Sequence, residues 1–299
     1  MGYGNYSYEA HQAMTNKRAK LSTQEVFGQR RLHPLMDPKD VKFRECRDSP
    51  DHPNSLGIVF ALDVSGSMGK IPEQIARKEL PTFMKTLMDA GVTDPQVLFM
   101  AFQDCAGGVA PLQVGQFESK AELMDQWLTW SWLMGGGASE FESYDLAFYF
   151  AAHHTKMDCH EKRGKRGYLF MSGDEPCYPT LDASWVKEFL GEDAPSELPL
   201  AKVIADCNDT FHTFYLIPDP ERGARVAPFW RKHLGERTIV LADPNDTCPV
   251  AAGIIALSEG AVANLQDLGK RLRDAGLAAN RVERALSALT AWAKSIEKA

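Results

Sequence analysis

The chain has 299 residues, 44% of them hydrophobic, and a formal net charge of −7. That is enough apolar material to bury a sizeable core in one large domain or two small ones, and the negative balance argues against nucleic-acid binding through a general phosphate field. No apolar run reaches the roughly 18 residues needed to cross a bilayer, and the opening Met1-Gly2-Tyr3-Gly4-Asn5-Tyr6 lacks the apolar core of a secretory signal. Six scattered cysteines with no Cys-x-x-Cys spacing read as reduced thiols. A cytoplasmic protein with no membrane contact is expected.

Residues 1–54 are polar, with basic residues clustered at Lys17, Arg18, Lys20, Arg30 and Arg31 and little periodicity. They are expected to form an N-terminal arm lying on the rest of the chain, its basic cluster a solvated face. Residues 55–259 alternate strand-like and helix-like segments, which predicts an α/β fold with a doubly wound, mostly parallel sheet and helices on both faces. Strands are expected at Gly57–Leu62, Gln96–Phe102, Tyr168–Met171, Phe211–Ile217 and Thr238–Leu241. Val109–Phe117, which contains Pro111, suits a short antiparallel edge strand. Helices are expected over about 72–90, 119–131, 143–157, 183–190, 197–206, 225–234 and 249–258. Trp127, Trp130 and Trp132 in and after the second of these read as core packing. Residues 260–299 carry leucines at helical spacing with a break near Gly276, which predicts an amphipathic helical hairpin packed on the sheet.

The most informative stretch is Ile58 to Gly69. A wholly apolar strand stops at Asp63, and Ser65 and Ser67 follow at alternate positions beside Gly66. A strand ending in a carboxylate and two hydroxyls brings three hard oxygens to one turn, a donor set that suits Mg²⁺. Asp-x-Ser-x-Ser after a buried strand resembles the metal-ion-dependent adhesion site of von Willebrand factor A domains. The resemblance covers roughly residues 55–250 and implies a Rossmann-like sheet carrying a protein-binding module. Its ion, Mg or Mn, would hold an acidic side chain of a partner. The longer pattern looks like a stand-alone cytoplasmic branch of that family in bacteria and their viruses. Members of that kind work beside AAA-type ATPases, so such an ATPase is an expected partner class.

The resemblance also implies two further loops. Met134 to Asp145 precedes a helix where the family has Gly-Gly-x-Thr; the threonine is missing. Aligned on the glycines, Ala138-Ser139 takes its place; aligned on the helix, Glu142 or Ser143 does, and the helix is the firmer guide. The strand ending in Ser172-Gly173-Asp174-Glu175 stands where the family has Thr-Asp-Gly, making Asp174 the third-loop carboxylate. The expected metal set is therefore Asp63, Ser65, Ser67, Glu142, Ser143 and Asp174, with no catalytic residue. Zinc at His153, His154, Cys159 and His160 is disfavoured, because adjacent helical histidines point apart. A basic loop follows at Glu161–Arg166 and reads as solvated. The competing function is a metal-dependent hydrolase of phosphate esters, for which the sequence nominates no convincing base, so a binding protein rather than an enzyme is expected.

Overall fold

The computed structural model describes residues 4–66, 68, 70–135 and 140–296. Among them the strands, in chain order, are β1 (Arg44–Cys46), β2 (Leu56–Asp63), β3 (Pro95–Phe102), β4 (Leu112–Val114), β5 (Thr155–Met157), β6 (Gly167–Ser172), β7 (Thr180–Asp182), β8 (Glu197–Pro199), β9 (Phe211–Ile217) and β10 (Thr238–Val240). Six of these make the central sheet, in the order β10-β9-β6-β2-β3-β4. All pairings in it are parallel except β3 with β4. Every residue of β2, β3 and β6 is buried, as their unbroken apolar sequence requires of strands covered on both faces. The antiparallel strand β4 closes one edge directly after Pro111, where a missing N–H does least harm.

The chain starts this sheet in its middle with β2 and moves out through β3 and β4 on one side. It then returns to β6 and moves out through β9 and β10 on the other. The direction of winding therefore reverses between β2 and β6, and in doubly wound sheets ligands bind in the crevice beyond the carboxyl ends of the strands at such a point. The register fixes what meets there. Asp63 is level with Phe102 of β3, and Leu62 is level with Ser172 of β6. Asp63, Asp104 and Asp174 consequently leave three adjacent strands at nearly the same height.

The helices depart from expectation where tertiary contacts override local pattern. The segment expected as one helix over 72–90 runs from Lys70 to Asp89 but widens to a π turn at Ile75–Glu79, where the Leu80 N–H reaches back to the Ile75 carbonyl. Pro81 has no N–H for the Arg77 carbonyl, so the ladder already lacks a bond there. The helix expected over 143–157 stops at His153, because Thr155–Met157 pairs in parallel with Arg44–Cys46. Pro220–Leu234 starts five residues earlier than expected, capped by Asp219, whose carboxylate accepts from the Arg222 N–H at 2.9 Å.

Residues 1–54 hold a helix that the pattern hides, Tyr8–Arg18. Its buried residues are His11 and Thr15, one helical turn apart, so the face turned inward is polar and gives no hydrophobic period. Arg18 is not solvated: its guanidinium forks onto the buried carboxylate of Asp125. Nor is the 161–166 loop merely solvated. Arg163 holds Asp48 at 2.7 Å, Lys162 holds Asp158 at 2.7 Å, and Lys165 pairs with Glu259. The tryptophans are half-buried rather than core, and Trp130 stacks on His33 at 4.0 Å. At the other end, helices Leu265–Asp274 and Ala279–Ile296 join through Gly276 at φ +94°. Leu268, Leu272, Val282 and Leu289 are buried on the Thr247–Ser258 helix. Arg281 reaches Glu79 at 2.7 Å and Arg284 reaches Asp246 at 2.6 Å.

Candidate functional site

Asp63 ends β2 with its side chain wholly buried. Its Oδ1 accepts from the Ser65 N–H at 2.8 Å, an Asx-type closure of the turn, and its Oδ2 accepts from the Tyr144 hydroxyl at 3.3 Å. Tyr144 is also fully buried, and its ring meets Phe102, Tyr215 and Trp230 with centroids 4.9, 5.4 and 5.1 Å away. Its hydroxyl accepts from the Glu175 N–H at 3.2 Å, so one phenol ties the β2 loop to the β6 loop. Asp174, past the end of β6, is buried and salt-bridged through Oδ2 to Arg222 Nε at 3.0 Å. Past β3, Asp104 is held by the Tyr178 hydroxyl at 3.0 Å. Phe141 stacks on that tyrosine at 5.1 Å and gives the edge an aromatic flank.

Glu142 and Ser143 lead into the helix Tyr144–His153, and both are buried. Ser143 does not cap the helix; its Oγ accepts from the Cys105 N–H at 2.9 Å, which ties the helix start to the β3 loop. Glu142 Oε2 is buried with no hydrogen-bond partner among the described residues, and the same holds for Ser172 Oγ and Asp145 Oδ2. Orphaned buried oxygens are costly, and that of Glu142 lies within the field of Asp63, Asp104 and Asp174.

Electrostatics point the same way. Burial, with Asp174 nearby, pushes the Asp63 carboxyl up to about 7 in spite of its hydrogen bonds. Burial and the charges of Asp63, Asp104 and Asp174 push Glu142 up to about 9. Burial pushes Asp145 to about 8. These groups bind protons more tightly folded than unfolded. Without a cation the fold is therefore favoured at low pH and loses stability as pH rises above the ordinary carboxylate range, through about 7 and then about 9. Urea midpoints in EDTA should fall between about pH 5 and 9, and Glu142→Gln should flatten the upper part of that fall. A midpoint that climbs with pH in both proteins contradicts this assignment.

Of the six residues expected from sequence, the structure places Asp63, Ser65, Glu142, Ser143 and Asp174 at the carboxyl edge of β2, β3 and β6. Ser67 lies outside the described residues, as do Gly136 to Ser139 and with them the glycine-aligned alternative at Ala138-Ser139. Among the described residues no three His, Cys, Asp or Glu side chains gather into a metal-holding group by themselves. The disfavoured zinc cluster is dispersed: His154 bonds the Val41 carbonyl at 2.8 Å and Glu192 at 3.1 Å, while His153 faces Asp206. The six cysteines are buried and unpaired with one another. Asp104, Tyr144, Asp145 and Arg222 escaped sequence reasoning. Asp104 carries the signal that marked Asp63, an acid just past an apolar strand.

No family model matches the chain, and no curated protein matches it by sequence. Solved structures overlay loosely on it. The open conformation of the pilus adhesin SpaC from Lactobacillus rhamnosus GG overlays 72% of this chain and 30% of its own, at 12% identity and TM-score 0.44. Proximal thread matrix protein 1 from the mussel byssus overlays 74% of this chain and 51% of its own, at 10% identity and TM-score 0.44. A form of that matrix protein with a zinc-occupied MIDAS motif gives 9% identity and TM-score 0.42 over the same shares. The chain thus spans about a third of the adhesin and half of the matrix protein. No helix among the described residues is long and apolar enough to cross a membrane.

Proposed function

We propose that this chain is a divalent-cation-dependent protein-binding module of the von Willebrand factor A type. The observation that carries the reading is the buried carboxylate set at the β2–β6 crevice. Asp174 raises the proton affinity of Asp63, both raise that of Glu142, and Glu142 Oε2 has no hydrogen-bond partner among the described residues. A cation fits this donor set, which is all oxygen and suits Mg or Mn. Asp63, Ser65 and Ser67 would hold it from the β2 loop, Glu142 or Ser143 from the second loop, and Asp174 from the third. When bound, the ion supplies a Lewis-acidic position for an incoming carboxylate. The chain's own residues do the rest: Tyr144 fixes Asp63, Ser143 anchors the second loop, and the Phe141–Tyr178 pair offers an apolar flank to a docking protein.

The partner in this reading presents an Asp or Glu, and an AAA-type ATPase is one class that would suit. The surrounding negative charge makes docking selective, since a carboxylate off the ion meets repulsion. Capture of a candidate partner on immobilised protein should be lost with EDTA, lost with Ser65→Ala plus Ser67→Ala, and weakened when the partner's acidic residue becomes Asn or Gln. Binding that is indifferent to EDTA refutes the reading. A phosphoester panel with Mg²⁺ or Mn²⁺ tests the competing hydrolase.

A further inference from the structure

We infer that the open edge of β10 is a docking slot for one extended segment of a partner protein, and that this segment carries an acidic residue. The slot involves none of the residues of the cation-site reading, so the two fail separately. β10 ends the central sheet, and among the described residues its only strand neighbour is β9. The Leu241 N–H donates to the Ile217 carbonyl at 2.8 Å. Alternate residues of a strand turn their backbone groups to opposite edges, so Ile239 bonds to β9 while Thr238 and Val240 face outward. The Thr238 N–H closes a turn onto the Gly235 carbonyl. The Thr238 carbonyl and both backbone groups of Val240 remain at the edge, a pattern that an added strand completes.

A cleft of about 300 Å³ lies along this edge, walled by helices Pro220–Leu234 and Ala279–Ile296. The helices cover opposite faces of the sheet. Trp230 of the first stacks on Tyr215 at 4.0 Å, Trp292 of the second meets Phe214 at 5.4 Å, and consecutive strand residues point opposite ways. The second wall is built from Ser287, Ala288 and Ala291, whose short side chains leave room for a chain. A second copy offering its own β10 would bring two helices against these two; a single extended segment brings none. The first wall is polar. A Cβ on Gly223 would lie 2.5 Å from Val240 Cγ1, so Val240 leans on helix Pro220–Leu234, and Thr238, two residues earlier, shares that face. Thr238 is 4% exposed and lines the cleft, and its Oγ1 has no hydrogen-bond partner among the described residues. Arg231 lines the same wall, exposed and without an ion pair among the described residues. Arg284 is engaged with Asp246 at 2.6 and 2.9 Å, and Glu236 sits on the turn ahead of the strand. The lining thus holds two arginines to one acid, on a chain of net charge −7. A hydroxyl donor and a guanidinium on one wall suit a carboxylate, and the alanines opposite suit a small apolar side chain. Side chains of an added strand alternate between the walls, so the ligand class is an extended segment in which acidic and small apolar residues alternate.

The probe is a blocked, labelled heptapeptide of alternating Val and Asp, followed by fluorescence anisotropy in EDTA, with a Val and Lys peptide as its counterpart. The acidic peptide should bind, and the lysine peptide about tenfold more weakly, since an attraction is replaced by a repulsion of similar size. N-methylation of one alternate set of peptide amides should abolish binding and that of the other set should not, because only one set faces β10. The Val240 amide should exchange more slowly in the complex. Arg231→Glu, at an exposed position, should reverse the preference between the peptides, and Ala291→Trp should block both while melting like the parent. Failure of the acidic peptide to bind at about 1 mM, an unchanged preference in Arg231→Glu, or tolerance of both methylations overturns the inference, whether or not Ala291→Trp folds. A parent that sediments as a dimer and turns monomeric with Ala291→Trp overturns it too, since a second copy then occupies the edge.

Discussion

Asp63→Asn should abolish cation binding while leaving the metal-free protein as stable as the parent or more so. The parent should gain about 2.7 kcal/mol at a hundredfold excess of Mn²⁺ over its Kd, which for a chain of this size is a rise of roughly 4 °C in Tm. The variant should gain nothing. The asymmetry arises because Asp63 is wholly buried and the described residues that face it offer hydrogen bonds: its turn amide at 2.8 Å, the Ser65 hydroxyl and the Tyr144 hydroxyl at 3.3 Å. An ionised carboxylate in that setting is a burden to the metal-free fold, and the amide removes the charge while nearly keeping the shape. Thermal melts with and without Mn²⁺ decide it. If Mn²⁺ protects both proteins equally, the ion binds elsewhere.

Gly173→Ala should damage fold and site together. A methyl at Gly173 would lie 2.6 Å from Tyr144 Cζ and nearer still to its Cε1 and hydroxyl oxygen. Tyr144 has no room to yield, since Phe102, Tyr215 and Trp230 surround its ring. Overpacking of this kind costs about 1–3 kcal/mol and occasionally more, and any shift of the phenol also loosens Asp63. The expected result is a lower urea midpoint, with Mn²⁺ affinity reduced in the fraction that stays folded. A variant with parental midpoint and parental Mn²⁺ affinity would show that the β6 loop is not held as described.

The central strands were legible because burial on both faces leaves unbroken apolar runs, and the Asp63 turn was legible because its oxygens are consecutive in sequence. Asp104 follows an equally apolar run and was missed, since no hydroxyl residue follows it in the loop. Arg222 and Tyr144 belong to the site only through tertiary contact: one lies 48 positions past Asp174, the other reads as an ordinary aromatic of an apolar helix. Strand β5 was hidden for a related reason. Thr155-Lys156-Met157 continues a helical pattern, and only the distant Arg44–Cys46 draws it out. The arm helix fails the usual hydrophobic test because it buries a histidine and a threonine.

The pairing of β1 with β5 has a consequence in time. Arg47 and its partner Asp158 are 111 positions apart, and the two strands they flank are parallel. During synthesis at about 5–20 residues per second, the first 50 residues leave the ribosome several seconds before anything exists for β1 to pair with. Strand β1 thus waits for β5, and through that interval its edge is open to neighbouring nascent chains.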